Sequence, residues 1–393
     1  QVIAVDLDGT FTLTDTLYET LLSLIRNKPY LLLLLPFWLS KGVAHFKKKV
    51  AERSDLDITK LPYNLPLINW LKEEKLNGKK IVLCTAANEQ VAQAVVNQFD
   101  IFNDFIASDS KTNLKSVHKR NALQERYGDK GYDYAGNSSA DLHVWAGATG
   151  AIVVNASEGV LKNASKITSV TKTFPSDGSG ITDWVQALRV HQWLKNLLLL
   201  VPLLAAHQLG NIQSLSSLVI AFISFSLCAS SVYIINDLLD LESDRNHPRK
   251  KFRPFASAKL PIVYGIVIAP LLIGISSALG AVVNSDFLIV LLLYLLLTIA
   301  YSLVLKRLVL LDCLTLATLY TVRIIAGSAA ASVSLSFWLL AFAIFIFLSL
   351  ALVKRYAELV VQSQEGKSGT YGRAYLVSDA SLLQTLGVSS GYI

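Results

Sequence analysis

Two groups of carboxylates in this sequence have spacings that suit phosphate chemistry. Asp6 and Asp8 form a DxD in VIAVDLDGT, straight after an apolar stretch that reads as a strand. At the carboxyl end of such a strand one carboxylate can attack phosphorus and bind Mg²⁺, while the other protonates the leaving oxygen. Asn236, Asp240 and Asp244 recur at i, i+4 and i+8 in NDLLDLESD, directly after the apolar AFISFSLCASSVYII. On one helical face at a membrane boundary, like charges so spaced call for a cation, and their hard oxygens suit Mg²⁺ shared with substrate phosphates. Arg245, Arg249, Lys250, Lys251 and Arg253 follow in one short loop. Singly they would only obey the positive-inside rule; beside an acidic face they read as a clamp for diphosphate oxygens.

Three further pieces stand behind the first group. Thr85 closes the apolar IVLCT and can offer its hydroxyl to a phosphate oxygen. Lys119 opens KRNAL and would neutralise the phosphate, with Lys115, four residues earlier on the same helical face, as its rival. GNSSAD at 136–141 supplies Asn137 and Asp141. In this order the pieces resemble the haloacid-dehalogenase (HAD) superfamily of phosphatases. The resemblance implies a catalytic set of Asp6, Asp8, Thr85 and Lys119, with Mg²⁺ held among Asp6, Asp8, Asn137 and Asp141. Asn137 stands where that family usually has Asp, which removes a charge from the site, so an inactive structural domain is the competing expectation.

The acidic stripe continuing into RPFAS resembles the first signature of the UbiA prenyltransferase superfamily, over about residues 185–393. That likeness extends to HQWLKN at 191–196 and to the stretch 306–323. It makes Lys195, Asp237, Arg245, Arg249, Lys250, Arg253, Lys306, Asp312 and Arg323 candidate substrate contacts, and Asn236, Asp240 and Asp244 metal ligands. Where a second Asp-rich stripe is usual, only Asp312 is acidic, and Leu316 stands four residues on. Within the superfamily the stretch NDLLDLESDRNHPRKKFRP is most similar to the branch that moves phosphoribose from phosphoribosyl diphosphate to polyprenyl phosphate. The resemblance thus implies an Mg²⁺-dependent transferase whose fused phosphatase removes the ribose 5-phosphate. Two alternatives stand beside it: transfer of a prenyl group from prenyl diphosphate to an aromatic acceptor, and a membrane transporter or lipid-binding protein with a vestigial HAD domain. A transporter would be expected to show internal repeats, and no convincing repeat is present.

The elements that must position these residues differ sharply along the 393-residue chain. A hydrophobic fraction of 52% and a mean hydropathy of +0.45 are too apolar for an ordinary soluble protein, and the excess lies beyond residue 196. The runs VIAVDLDG, IVLCTAAN, DFIASD, YDYAGN and AIVVNAS, separated by helical stretches, predict a parallel α/β domain over 1–178 with a helical cap at about 11–75. TKTFPSDGSG has linker composition, and 179–186 joins the domain to an all-α polytopic bundle over 187–393. About seven apolar segments are expected, near 195–208, 215–235, 262–283, 286–304, 309–330, 335–353 and from 380 onward. Further spans are expected beyond SSGYI, where the chain stops inside an apolar segment.

The loops HQLGNIQSLSS, VVNSDF and ASVSLS carry no Lys or Arg, whereas the alternate ones carry DRNHPRKKFRP, LKRL and VKRYAE to GKSGTYGR. The bias places the basic loops and the HAD-like domain on the cytoplasmic side of an inner membrane. Topology and anionic substrates account for a net charge of +7 without a nucleic-acid partner. Between the first two strands, KPYLLLLLPFWLSKG is too short to span a bilayer. It reads either as an interfacial segment, flanked by Lys28, Lys41, Lys47, Lys48 and Lys49, or as a core helix of the cap. Cys84, Cys228 and Cys313 lack metal or redox spacing and read as small core hydrophobes in a reducing compartment.

Overall fold

The computed structural model describes residues 1–109, 113–176, 178–364 and 374–392, and the chain divides into two compact units. The first holds residues 1–186 together with 237–265; the second holds 187–236 and 266–393. The intervening stretch Asp237–Gly265, expected with the membrane bundle, therefore packs with the α/β unit. Its ion pairs explain this: Arg245 meets Glu19, and Lys60 meets Glu242 at 2.8 Å.

Among the described residues of the first unit, six parallel strands run in the order β3-β2-β1-β4-β5-β6: β1 Val2–Val5, β2 Lys80–Asn88, β3 Asp104–Ser108, β4 Tyr132–Gly136, β5 Gly150–Val154 and β6 Ser169–Phe174. The central strands are near-continuous apolar runs because both faces of a parallel sheet are covered. Side chains alternate between two cores: Ile3 and Val5 join Leu83 and Val154 on one face, while Ala4 joins Cys84, Tyr134 and Trp145 on the other. The register pairs Val5 with Leu83 and with Ala135, so the strand ends that follow lie along one edge. β6 corrects the linker expectation, since Thr171–Phe174 extends the sheet beside β5 rather than leaving it.

The cap inserts between β1 and β2 as helices α1 Thr16–Asn27, α2 Leu35–Ser40 and α3 Val43–Arg53. Asp15 caps α1 by accepting from Leu17 N–H at 2.9 Å. Leu24, Leu31, Trp38 and Val50 form a small core of their own. The cap is shorter than expected, because Leu67, Ile68 and Leu71 of the helix Leu65–Leu76 pack into the main core beside Ile3 and Val5.

Among the described residues of the second unit and its flanks, five helices are long and apolar enough to cross a membrane: Ile212–Leu239, Ile262–Val283, Ser285–Leu303, Leu311–Ala331 and Phe337–Gln364. One of the seven expected segments is instead short: Val190–Ala205 is a 3₁₀ stretch run on into one α-turn, while Ala380–Tyr392 is the described part of the last. The basic stretch GKSGTYGR lies at 366–373, outside the described residues. Small residues set the packing: a Cβ on Gly327 would come within 2.0 Å of the Leu199 carbonyl oxygen, so only glycine lets the two backbones meet.

Two cations are sealed inside this unit, and both are paid for by partners. Arg355 lies 2.6 Å from Asp312, whose side chain is 0% exposed, and Tyr301 donates to the same carboxylate at 2.7 Å. Arg323 donates to Asn196 at 3.0 Å, to the Leu319 carbonyl at 2.6 Å and to the Tyr294 hydroxyl at 3.1 Å. Removing one member of a buried pair strands the other. Arg355→Leu is expected to cost about 3–5 kcal/mol, and Asp312→Leu with Arg355→Leu distinctly less than the single change. Thermal unfolding of the detergent-solubilised chain measures both, and a double variant less stable than Arg355→Leu would refute the pairing.

Candidate active sites

The first site lies at the carboxyl edge of the sheet. Asp6 follows β1, and its Oδ1 accepts from its neighbour Leu7 N–H at 2.9 Å and from Lys119 Nζ at 2.8 Å. Lys119, from the helix Val117–Tyr127, also donates to the Tyr134 hydroxyl at 2.8 Å, and that hydroxyl donates to Asp141 at 3.0 Å. Lys119 thus wins over Lys115, which lines the same cavity without meeting Asp6. The turn after β1 needs Gly9: its φ is +71°, and any Cβ there would strike the side-chain amide of Asn137 at 2.1 Å. Asp8 is fastened by Thr16 N–H at 2.7 Å, the first turn of α1.

Asp141 was expected beside the metal, but its contacts give it another task. One oxygen takes the Asn137 and Ser138 N–H groups and the Ser138 hydroxyl at 2.9 to 3.1 Å, and the other takes Tyr134. It holds the turn after β4 and, through Tyr134, the Lys119 ammonium. Thr85 is fully buried and accepts from Ala87 N–H at 2.9 Å; the cavity wall at this strand end is made by Ala86, Ala87 and Asn88. Asp6, Asp8, Lys119, Asn137 and Asp141 are therefore brought together, and Thr85 lies one layer beneath them.

Electrostatics separate the two aspartates from ordinary carboxylates. Burial pushes Asp6 up to about 7, against the pull of Lys119, and pushes Asp8 up to about 6, helped by the charge of Asp15. Burial alone would lower Lys119, but Asp6 and Asp141 raise it, so it stays charged. A carboxyl that keeps its proton near neutrality is suited to general acid work. Lys47 was missed as a site residue. It reaches from α3 to the Ala86 carbonyl at 2.8 Å and Asn113 at 3.2 Å, and it faces Asp8 and Asp15. Its place in the run Lys47 to Lys49 hid it, since nothing in three consecutive lysines tells which one turns inward.

A cavity of about 1020 Å³ opens on Asp6, Asp8, Lys47, Lys119 and Asn137. Its far wall includes Phe255 and residues 257–264 of the same unit.

The acidic stretch at 236–244 is not one unbroken helical face. The long helix stops at Leu239, Asp240 adopts a non-helical φ of −100° and ψ of 11°, and a short helix Leu241–Asn246 restarts. Asn236 Oδ1 is buried and receives no hydrogen bond. Arg253 bridges the other acids, meeting Asp244 at 2.6 Å and Asp237 at 3.1 Å. Burial raises the Asp244 carboxyl, and Arg253 opposes that rise. Among the described residues no three His, Cys, Asp or Glu side chains are gathered as metal ligands. Oxygen donors of the kind that suit Mg²⁺ are offered by Asp6 and Asn137 in the first site, and separately by Asn236 and by Asp240 on either side of the break at Leu239; substrate oxygens would have to complete any shell.

The basic residues divide by role. Arg245, expected on substrate, is spent on structure: both its terminal nitrogens meet Glu19, at 2.6 and 3.1 Å, and its Nε meets the Ala256 carbonyl at 3.0 Å. Glu19 is itself a buried residue the sequence did not mark, because a lone Glu in an amphipathic cap helix looks solvated. Arg249, Lys250 and Lys251 are exposed. In the second unit Asp312 and Arg323 are consumed by the pairings already described, and Lys195 lies over the Tyr320 ring, 5.9 Å from its centroid. Lys306 sits in the short turn Leu305–Arg307.

Comparison with known proteins identifies the membrane half. Residues 197–367 match the UbiA prenyltransferase family. The uncharacterized protein y4nM of Sinorhizobium fredii is 34% identical over 390 residues, covering 98% of this chain and 75% of its own length. The nodulation protein NoeC of Azorhizobium caulinodans is 36% identical over 53% of this chain and 68% of its own length. The decaprenyl-phosphate phosphoribosyltransferase of Mycobacterium tuberculosis is 38% identical over 46% of this chain and 62% of its own length. Among solved structures, a UbiA homolog from Archaeoglobus fulgidus bound to DMAPP and Mg²⁺ covers 53% of this chain and 73% of its own, with 17% identity and a TM-score of 0.43. A HAD family hydrolase from Salmonella enterica serovar Typhi covers 44% of this chain and 66% of its own, with 12% identity and a TM-score of 0.33. The chain belongs to the UbiA prenyltransferase family, a multi-pass membrane transferase that carries a HAD-like unit ahead of its helical bundle.

Proposed function

We propose that the chain transfers phosphoribose from phosphoribosyl diphosphate to a polyprenyl phosphate and then removes the ribose 5-phosphate from the lipid product. The observation that carries this reading is a shared unit: the segment Asp237–Gly265, with the acids and exposed cations suited to a diphosphate, also forms part of the wall of the Asp6 cavity. The relatives named decaprenyl-phosphate phosphoribosyltransferase support it. So does Asp312, whose pairing with Arg355 leaves the second acidic stripe of aromatic prenylation without an available carboxylate.

In the transfer, Asn236 and Asp240 would hold Mg²⁺, which when bound neutralises charge on the diphosphate. Arg249, Lys250 and Lys251 take the remaining charge as the bond from ribose C1 to diphosphate breaks, and a phosphate oxygen of the polyprenyl phosphate forms the new bond to C1. Arg253 keeps Asp237 and Asp244 neutralised while this happens. In the hydrolysis, Asp6 attacks the 5-phosphate, the leaving ribose oxygen takes the proton of Asp8, and water then releases phosphate from Asp6. Lys119 holds a positive charge against the phosphoryl oxygens throughout. The charge distribution of the loops supports a cytoplasmic face of the inner membrane for both steps.

The test is incubation of purified protein with Mg²⁺, phosphoribosyl diphosphate and polyprenyl phosphate, with lipid products read by mass spectrometry. Product only from prenyl diphosphate and an aromatic acceptor would overturn the reading. Asp240→Asn is expected to lower transfer by about 100-fold or more while the folded, membrane-inserted protein persists, since it removes charge from the metal position at constant size. Asp6→Asn should leave transfer intact and make the 5-phosphorylated lipid accumulate, because an amide cannot attack phosphorus. Equal phosphate release from that lipid by wild type and Asp6→Asn would remove the HAD-like unit from the reaction.

A further inference from the structure

The cap carries a surface that its own core does not use. Residues 29–40 fold into a 3₁₀ turn, Pro29–Leu34, followed by α2, and only Leu31 and Trp38 of this run are buried. Leu35 packs part-buried on the cap core, and the other large apolar side chains face outward: Tyr30 is 68% exposed, Leu33 86%, Phe37 56% and Leu39 54%. A contiguous outward run of this kind marks a partner, and single exposed leucines elsewhere do not. The neighbouring charges say which partner. Between Thr20 and Ala51 the chain has no Asp or Glu but carries Arg26, Lys28, Lys41, Lys47, Lys48 and Lys49. Lys41 lies over the Phe37 ring, 4.3 Å from its centroid, its charge at the rim of the apolar face. Lys48 stays 41% exposed even with Glu52 at 3.9 Å, while Lys28 is held by Asp55 at 3.2 Å and Lys47 turns into the Asp6 site.

An apolar elbow ringed by cations, on a chain with five helices of membrane-spanning length, is complementary to an anionic bilayer surface. The geometry points to residues 29–40 as a membrane-inserting elbow that seats the cap of the HAD-like unit in the lipid interface. Leu33 and Phe37 enter the acyl boundary, Tyr30 sits at headgroup level, and Lys41 and Lys48 meet anionic headgroups. Encounter with a bilayer is intramolecular for this chain, because its own spans tether it to the membrane. It also fixes α3, and with it Lys47, relative to the surface from which a lipid substrate must be drawn.

The test reads lipid contact directly and is independent of the reaction proposed above. Cys84, Cys228 and Cys313 are buried, so Leu33→Cys in the full chain takes an environment-sensitive fluorophore selectively, and Leu76→Cys, at a side chain 88% exposed, serves as the control. The labelled protein is reconstituted into phosphatidylcholine vesicles with and without phosphatidylglycerol, some carrying spin-labelled acyl chains. The Leu33 label should shift to the blue and be quenched by the spin-labelled lipid, more strongly with phosphatidylglycerol, while the Leu76 label stays accessible to iodide. Equal iodide access at both positions would overturn the proposal. A Leu33 label shielded from iodide yet untouched by spin-labelled lipid would overturn it too, because protein would then cover the elbow, either a second copy or another part of the chain.

Discussion

A buried ammonium organises the HAD-like unit. Lys119 has almost no contact with solvent, and a charge so placed is tolerable only beside acceptors of opposite or polar character. Asp6 and Tyr134 supply them, and Asp141 orients Tyr134 in turn. This chain of contacts ties the ends of β1 and β4 to the helix Val117–Tyr127, three elements far apart in sequence. The same contacts that satisfy the lysine place a cation against Asp6, the proposed nucleophile, so the stabilising contacts and the proposed chemistry share one arrangement.

The membrane unit obeys the same rule with different residues. Arg355 and Arg323 sit among apolar helices where an unpaired guanidinium would be very costly. Asp312 answers one, and Asn196, Tyr294 and a backbone carbonyl answer the other. A carboxylate so occupied is not available to a metal. Neutralisation by a fixed cation thus gives Asp312 a structural task, although in the sequence it looks like any acid near a helix end.

The legible parts of this molecule were those governed by local pattern. Five of its six strands, the DxD at the end of the first, and the five long helices all follow from apolar runs and their punctuation. β6 escaped because its residues are half polar: an edge strand with an exposed burial pattern resembles a linker. The continuous acidic face at 236–244 was an assumption of unbroken helix, and the change of backbone angle at Asp240 cannot be seen in a string of residue types. Pairings over long separations were hidden for the same reason. Glu19 and Arg245 are 226 residues apart, and neither residue alone signals that it will be buried.

That long-range pair changes how the fusion is understood. If the HAD-like unit were a tethered passenger, the segment Asp237–Gly265 would have no reason to spend an arginine on the cap. Instead Arg245 and Glu242 anchor it to Glu19 and Lys60, while Arg249 to Lys251 stay outside. The anchoring contacts at 242 and 245 are followed within a few residues by the exposed cations at 249–251, so the anchors set where those cations begin. In the proposed sequence of reactions this has a chemical consequence. Transfer exchanges one bond at ribose C1 for another and can run back while both products persist, whereas hydrolysis of the phosphate monoester in water is downhill and consumes one of them. A phosphatase cavity walled by the transferase's own segment would remove the first product where it forms and draw the transfer forward.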